Sequence, residues 1–589
     1  MNSTNWTDYF DRKDMVNSAN LIINELIQEI YMKKLPVHVK YNLTLHEIGV
    51  LYRWLIYVAV NTFIDRLLRS QCEVKQGVTK DEVYMQNEVE YYLNSSKSVF
   101  MYYYDFSLNA QILNNISSVL NGFNPRFEDE DFQTSIQKDG NIEKQNIKKY
   151  NLINNSNRII SRLREKYSLL REAQLTKTDV LYDQSKWLNL IFSKNSRIIK
   201  MPYDRYPIDV STRINIKELS KRIFKNLFPD IIEIPDKVSL DKLSSLFSCW
   251  VDNILPFSII EGLDGRFKFY RKLLVRKRIK ELHTTIGLLY NDNYKVLSIL
   301  AKRCGAIIIG HDHGVNNFVK YFHNGNDIVN FYKGLNQLEF MDYYFTWGIN
   351  IDGKIGDAWE GIETKINTKV VNAGSVYLST LEKWNKHEID LSIMTLFYFC
   401  GPLRDYMANL EEIAPEINFS HRKKTLNFIK RLMLKYSGLQ VIYKPFPGME
   451  FRNDPFMDVF SEKIDQGKVK LTDKHPTELM PNVDVVLFDM ISTGFAEAVQ
   501  IGVPAVVYSN NYDYEIASKE GKRINDELED SGVIFYDDAS GLKSFDRVVN
   551  DLISFQESSK NPIRRFQEAI AYPIDKREFR RNLIKAIYD

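Results

Sequence analysis

VDVVLFDMISTGFAEAVQIGVPAVVY, residues Val483 to Tyr508, carries the pattern on which the fold of the whole chain turns. Val485 to Phe488 is a short, unbroken apolar run rich in β-branched residues, the kind that fills a strand buried on both faces. It leads into Asp489, then Ser492-Thr493-Gly494, then a helix-like Phe495 to Gln500, and Gly502-Val503-Pro504 opens onto a second apolar run, Ala505 to Tyr508. Strand, hydroxyl-rich turn, helix and strand in that order form a βαβ unit, and successive units build a parallel sheet. The turn is also a place for chemistry. Unpaired N–H groups and the positive end of the helix dipole favour phosphate there, and Ser492 and Thr493 add hydroxyl donors. The same two side chains could equally serve as plain helix caps.

The alternation extends on both sides. Leu391 to Phe399, Gln440 to Tyr443, Lys468 to Leu471, Val483 to Phe488, Ala505 to Tyr508 and Val533 to Tyr536 are expected as strands of one doubly wound sheet. An earlier series begins near Trp187 and is clearest from Thr284 to Gly314. There Thr285 to Tyr290 reads as a strand, Asn293 to Arg303 as a crossover helix and Ala306 to Ile309 as the next strand, ending in Gly310-His311-Asp312-His313-Gly314. Gly374 to His387 separates the two series as a hinge. Before them, Leu21 to Lys33 and Glu47 to Arg69 have helical periodicity, and the Asn- and Lys-rich Gln137 to Asn157 reads as a loop with little to bury. The expected fold class is α/β, with a mainly helical region over 1–180, a first Rossmann-like lobe over 181–380 and a second over 381–589. An interlobe cleft would hold the site, and Arg564 to Lys585 would supply a closing helix.

Composition narrows the class. With 589 residues, 44% hydrophobic, 26% charged and a net charge of +2, the chain is an ordinary multidomain globular protein, and near-neutrality speaks against nucleic acid as partner. The four cysteines, Cys72, Cys249, Cys304 and Cys400, lack CxxC spacing, which fits a reducing compartment and no structural zinc. Met1 to Asn20 lacks the apolar stretch of a secretory signal, and Ile48 to Ile64, interrupted by Arg53 and Asn61, reads as a buried helix. A cytoplasmic location is expected. Arg266 to Lys280 and Arg564 to Lys585 are basic stretches that could rest on an anionic membrane or form solvated helix faces.

Three clusters could carry chemistry. Glu497 lies one helical turn beyond Thr493 and can hydrogen-bond a sugar or ribose hydroxyl while the turn holds phosphate. Tyr443-Lys444-Pro445-Phe446-Pro447-Gly448 follows a strand, where Lys444 could supply positive charge or the prolines could merely end the strand. In His311-Asp312-His313-Gly314 the two imidazoles project to one side of an extended segment and the carboxylate to the other. A third metal ligand is not evident, so acid–base or phosphate contact is favoured over a metal site.

Val483 to Tyr508 resembles the donor-binding half of GT-B glycosyltransferases, in which an Asp-bearing strand end, a Ser/Thr pair, a Glu on the next helix and a Gly-x-Pro turn recur in order. The segment around Lys444, Pro445 and Phe446 resembles the Lys-Pro-His-Pro stretch of transferases using CMP-activated sugars, with Phe446 in place of histidine. The His-x-His-Gly stretch, followed by Asp342 to Gly348 with Trp347, and preceded by Leu255-Pro256-Phe257 with Glu261, resembles the LIC-type surface-carbohydrate transferases, Asp312 replacing a glutamine. This resemblance covers about Trp250 to Tyr508. It implies a GT-B glycosyltransferase moving an acidic nonulosonic-type sugar from a CMP-linked donor to a capsule or O-antigen glycan; because no Asp-x-Asp pair follows a strand, metal-independent chemistry without cofactor is expected. With a lipid-linked acceptor, the two basic stretches could bring this cytoplasmic chain into peripheral contact with the inner membrane. In that reading Asp312, with His311 or His313, deprotonates the acceptor; Gly314, Glu261 and Trp347 support the acceptor side. Lys444, Pro445, Phe446, Ser492, Thr493, Gly494 and Glu497 hold the donor. A CDP-glycerol-type phosphotransferase and a non-catalytic glycan-binding protein of the same fold are the alternatives.

Overall fold

The computed structural model describes residues 12–75, 116–117, 119–120, 180–182, 186–191, 210–231, 234, 236–256, 258–260, 262–276, 279–285, 287–315, 340–348, 368–385, 389–401, 403, 415–445, 455–510 and 519–588. Its longer helices are α1 (Arg12–Met32), α2 (Leu45–Lys75), α3 (Lys186–Ile191), α4 (Val210–Leu227), α5 (Lys237–Ile254), α6 (Leu263–Arg276), α7 (Asp292–Arg303), α8 (Pro415–Lys435), α9 (Phe456–Asp465), α10 (Thr493–Ile501), α11 (Lys519–Asp530), α12 (Asp538–Asn550), α13 (Leu552–Ile570) and α14 (Lys576–Tyr588). The strands are β1 (Val180–Tyr182), β2 (Glu281–Thr284), β3 (Ile307–His311), β4 (Tyr343–Thr346), β5 (Lys369–Asn372), β6 (Thr395–Phe399), β7 (Gln440–Lys444), β8 (Val469–Leu471), β9 (Val485–Phe488), β10 (Ala505–Tyr508) and β11 (Ile534–Phe535). They fall into two compact units, one drawn from Met1–Asp183, Ser193–Ile307 and Ala408–Leu410, the other from Gln184–Phe192, Ile308–Met407 and Glu411–Asp589.

The first unit is mostly helical. α2 contains a stretch, Leu45–Cys72, long and apolar enough to cross a bilayer, yet its most apolar window is 94% buried within the protein, as expected for a core helix. Its polar interruptions are absorbed locally: Asn61 donates to the Tyr57 carbonyl at 2.8 Å, and the Thr62 hydroxyl donates to the Val58 carbonyl at 2.7 Å. Phe63 of α2 meets Phe224, Phe228 and Phe247 edge-on, with ring centroids 5.1 to 6.3 Å apart. In α6 the apolar residues Leu263, Phe267, Tyr270 and Leu273 are all buried and Arg266 donates to the Ser258 carbonyl at 2.8 Å, so the apolar face of this basic helix is taken up by packing. The strand expected over Thr285 to Tyr290 is a correction. The strand stops at Thr284, whose Oγ1 accepts the Gly287 N–H at 2.8 Å and turns the chain into a short helix, Gly287–Tyr290. β1 and β2 pair in parallel.

The second unit holds β3, β4 and β5, paired in parallel, and a six-stranded parallel sheet of order β8-β7-β6-β9-β10-β11. Numbered by first appearance, that order is 3-2-1-4-5-6, the doubly wound arrangement in which strand order reverses beside the first strand. Here the reversal falls between β6 and β9. β9 and β10 are buried along their whole length, which is why each reads as a plain apolar run. The six strands expected in this series are all present, with ends moved by a few residues. Two parallel α/β sheets and an N-terminal helical region make up the fold class that the sequence implied. Gln137–Asn157, Phe257, Glu261 and Phe446 lie outside the described residues.

Candidate functional site

Open α/β sheets place ligands beyond the carboxyl ends of strands, where the order reverses. At that place Asp489 follows β9 and Gly401 follows β6 by two residues. The Asp489 carboxylate accepts the Gly401 N–H at 2.7 Å through Oδ1 and the Tyr398 hydroxyl at 3.3 Å through Oδ2. The buried Arg422 guanidinium of α8 stands 3.3 Å from Oδ2 and donates to the Gly401 carbonyl at 2.6 Å and the Tyr443 hydroxyl at 3.1 Å. Neighbouring His421 puts Nε2 2.8 Å from the Tyr508 carbonyl and 3.3 Å from the Asp489 carbonyl, so that nitrogen carries the proton. Burying a charged pair at this depth is costly, and the bonds from Gly401 and Tyr398 to Asp489 and from Arg422 to Gly401 and Tyr443 offset part of that cost.

The Ser492-Thr493-Gly494 turn follows. Ser492 is the N-cap of α10 in extended conformation, but its side chain makes no capping bond, and its buried Oγ has no hydrogen-bond partner among the described residues. An unsatisfied buried hydroxyl is costly. The capping reading therefore does not hold for Ser492. Thr493 does something else: its Oγ1 accepts the N–H of Val315 at 3.2 Å. That bond joins the turn to the loop after β3. The fit is close enough that a Cβ on Gly314 would lie 2.4 Å from Thr493 Oγ1, so residue 314 has no room for a side chain. One turn along α10, the buried Glu497 accepts the Tyr377 hydroxyl at 2.7 Å, and burial together with this carboxylate raises the Tyr377 phenol above its usual range.

The loop after β3 is equally constrained. His311, 5% exposed, lies against Phe345 with ring centroids 5.4 Å apart and 6.1 Å from Phe579. Asp312 accepts the Tyr344 hydroxyl at 2.6 Å through Oδ1 and the Trp347 N–H at 3.2 Å through Oδ2. No cation pairs with it among the described residues, and burial raises its carboxyl to about 6 in spite of those two bonds. His313 is pushed down to about 4 by burial and is neutral at pH 7. His311, Asp312, Trp347, Ser375, Tyr377 and Phe579 line a pocket with about 20 Å³ of open room, enough for one water. No group of three or more His, Cys, Asp or Glu side chains suited to a metal occurs among the described residues.

The structure thus brings the β3 loop with Gly314 to Thr493, and places His311, Asp312 and Trp347 around one pocket, while Glu497 reaches that pocket through Tyr377. Trp347 is 5% exposed, its ring centroid 6.3 Å from that of Tyr377. Gly494 is buried, and a Cβ there would come within 2.7 Å of the Phe399 ring. Lys444 is engaged elsewhere: at the end of β7 its Nζ donates to the Asp473 carbonyl at 3.0 Å, and Pro445 follows it directly. Four residues in the arrangement, Tyr377, His421, Arg422 and Asp489, were not singled out for a role from the sequence. Asp489 was the most accessible, since a carboxylate directly after a buried strand must find partners.

A model of the LIC12162 family of transferases matches residues 6–549, and the chain belongs to that family. It is accordingly a transferase by family. No curated protein matches the chain. Among solved structures, a putative UDP-N-acetylglucosamine 2-epimerase from Listeria monocytogenes is similar at 11% identity over 56% of this chain and 80% of that one, with a TM-score of 0.36. The UDP-GlcNAc 2-epimerase from Neisseria meningitidis, solved bound to UDP-GlcNAc, is similar at 11% identity over 55% and 81%, with a TM-score of 0.34. A UDP-forming trehalose-phosphate synthase from Burkholderia xenovorans is similar at 10% identity over 57% and 80%, with a TM-score of 0.31.

Proposed function

We propose that this transferase is a GT-B glycosyltransferase that moves a sugar from a nucleotide-activated donor onto a bacterial surface glycan of the capsule or O-antigen kind. The donor in this reading is an acidic, nonulosonic-type sugar linked to CMP. The observation that carries the reading is the junction of Val315 and Thr493, which sets the His311-Asp312-His313 loop beside the hydroxyl-rich turn at the strand-order reversal. Donor phosphate would take hydrogen bonds from the unpartnered Ser492 hydroxyl and the first N–H groups of α10. Asp312, ionised above about pH 6, would take the acceptor hydroxyl proton through lone pairs its two clamping bonds leave open. The acceptor oxygen then bonds to the anomeric carbon as the bond from that carbon to phosphate breaks, and the nucleotide leaves with the electron pair. Glu497, already holding Tyr377, would orient a donor hydroxyl, and Trp347 would bound the acceptor side. No metal or cofactor takes part in this scheme.

The enzyme in this proposal works in the cytoplasm against the inner membrane. α14 supports that contact: Arg577, Arg581, Ile584, Lys585 and Tyr588 are exposed on one side of the helix, while Phe579 and Leu583 are buried on the other. A thermal-shift panel of CMP, CDP, UDP and GDP tests the donor class, since a nucleotide that binds the folded state raises Tm. CMP should give the largest rise. A larger rise with another nucleotide reassigns the donor, and none at all with the four removes the transferase site from this turn. Product analysis with CMP-sugar and CDP-glycerol donors then separates sugar transfer from phosphoalcohol transfer.

A further inference from the structure

Four consecutive strands of the six-stranded sheet, β10, β9, β6 and β7, send their carboxyl ends toward the proposed donor site, and one pair of adjacent residues on α8 reaches all of them. Successive helical residues project about 100° apart, so His421 and Arg422 diverge over the sheet edge. His421 holds the carbonyls of Tyr508 after β10 and Asp489 after β9. Arg422 holds the Gly401 carbonyl after β6, the Tyr443 hydroxyl on β7 and the Asp489 carboxylate, which in turn binds the Gly401 N–H. Both peptide groups of Gly401 are therefore tied down, its N–H by the anion and its carbonyl by the cation of one buried pair. Only a planar, multi-donor fork can serve carbonyl, hydroxyl and carboxylate at once. Three residues past Asp489 comes Ser492, whose hydroxyl has no partner among the described residues.

We infer that His421 and Arg422 are positioning residues for donor phosphate, fixing the loops after β6 and β9 so that Ser492 and the α10 N-terminus form one preorganised anion site. The inference rests on the reading of this site as the donor site of a nucleotide-dependent transferase. Neither residue touches the donor; their effect is on how little the loops must reorganise when it binds.

The test uses the full chain as wild type, Arg422→Lys, His421→Asn and, as a control for mere destabilisation, Phe545→Leu at a buried position of helix α12. CMP, CDP, UDP and GDP are titrated by calorimetry at a temperature where every protein is folded, and donor KM and kcat are measured with the nucleotide sugar that is turned over. Arg422→Lys and His421→Asn should each weaken nucleotide Kd by about tenfold or more and raise donor KM, with kcat changed less than threefold. Phe545→Leu should keep Kd within twofold at a comparable loss of Tm. Kd within twofold of wild type in Arg422→Lys overturns the inference, as does failure of both clamp variants to fold, which would make the pair a folding element. Wild type binding none of the four nucleotides defeats the donor-site reading itself, and this inference with it.

Discussion

Two strand ends in the second unit solve the same problem in nearly the same way. After β3, Asp312 accepts the hydroxyl of Tyr344 and the N–H of Trp347; after β9, Asp489 accepts the hydroxyl of Tyr398 and the N–H of Gly401. In both, the tyrosine lies on the neighbouring strand, β4 or β6, and the amide three positions later, just past that strand's end. In-register parallel pairing explains the likeness, since it puts an aspartate just past one strand beside the same two groups of the next. The difference lies in charge. Asp489 has Arg422 beside it, whereas no cation pairs with Asp312 among the described residues and burial raises its carboxyl to about 6. One clamp is an ion pair suited to holding loops still, and the other is a carboxyl without a paired cation that burial raises to about 6.

The comparison breaks first at its cation. Arg422→Met would leave Asp489 buried without countercharge and should cost about 3–5 kcal/mol, read as a fall in the urea midpoint. Asp312→Asn removes no ion pair and keeps an acceptor for one of the two donors, so its cost should be about 1 kcal/mol. Equal losses in the two variants would show that the clamps are equivalent and the charge difference immaterial. Gly494→Ala should follow at about 1–3 kcal/mol, because the new methyl lies 2.7 Å from the Phe399 ring on buried β6 and overpacking forces a shift. Thr493→Val, which removes the acceptor for the Val315 N–H with little change in shape, should cost about 1 kcal/mol, and Thr493→Ser should restore most of it. A Thr493→Val protein as stable as wild type would mean that the junction contributes nothing in solution.

Much of this arrangement was legible because buried parallel strands are apolar in every residue, and a strand such as Val485 to Phe488 announces itself without reference to the rest of the chain. The same signal misled at Thr285 to Tyr290, where apolar residues pack inside a helical turn and only the Thr284 hydroxyl, bonded to the Gly287 N–H, marks the stop. The β3 loop and the Ser492 turn were visible as strand-end polar clusters, yet the bond between Val315 and Thr493 spans 178 positions and leaves no trace in either segment. Arg422 was hidden for a related reason. Ser420-His421-Arg422-Lys423-Lys424 looks like the solvated side of an amphipathic helix, and its partners at 401, 443 and 489 are remote in sequence. Lys444 shows a contact the sequence did not signal, since its ammonium donates to the Asp473 carbonyl, 29 positions away.

The sharpest expected effect is in pH dependence, because two adjacent residues oppose each other. The folded-state carboxyl of Asp312 is raised from 3.8 to about 6, so its contribution to stability is full below about pH 3.8 and is lost as pH rises through about 6. The His313 imidazole is lowered from 6.5 to about 4, so its contribution is full above pH 6.5 and is lost as pH falls through about 4. Across roughly pH 4 to 6.5 the two slopes have opposite sign and largely cancel in the wild type. Measured relative to wild type, Asp312→Asn should leave the His313 slope exposed, with stability rising as pH increases through that window. His313→Gln should leave the Asp312 slope, with stability falling as pH increases. Parallel curves for wild type and both variants would mean that neither group is desolvated as the fold requires, and Asp312 would then differ from Asp489 only in lacking a cation.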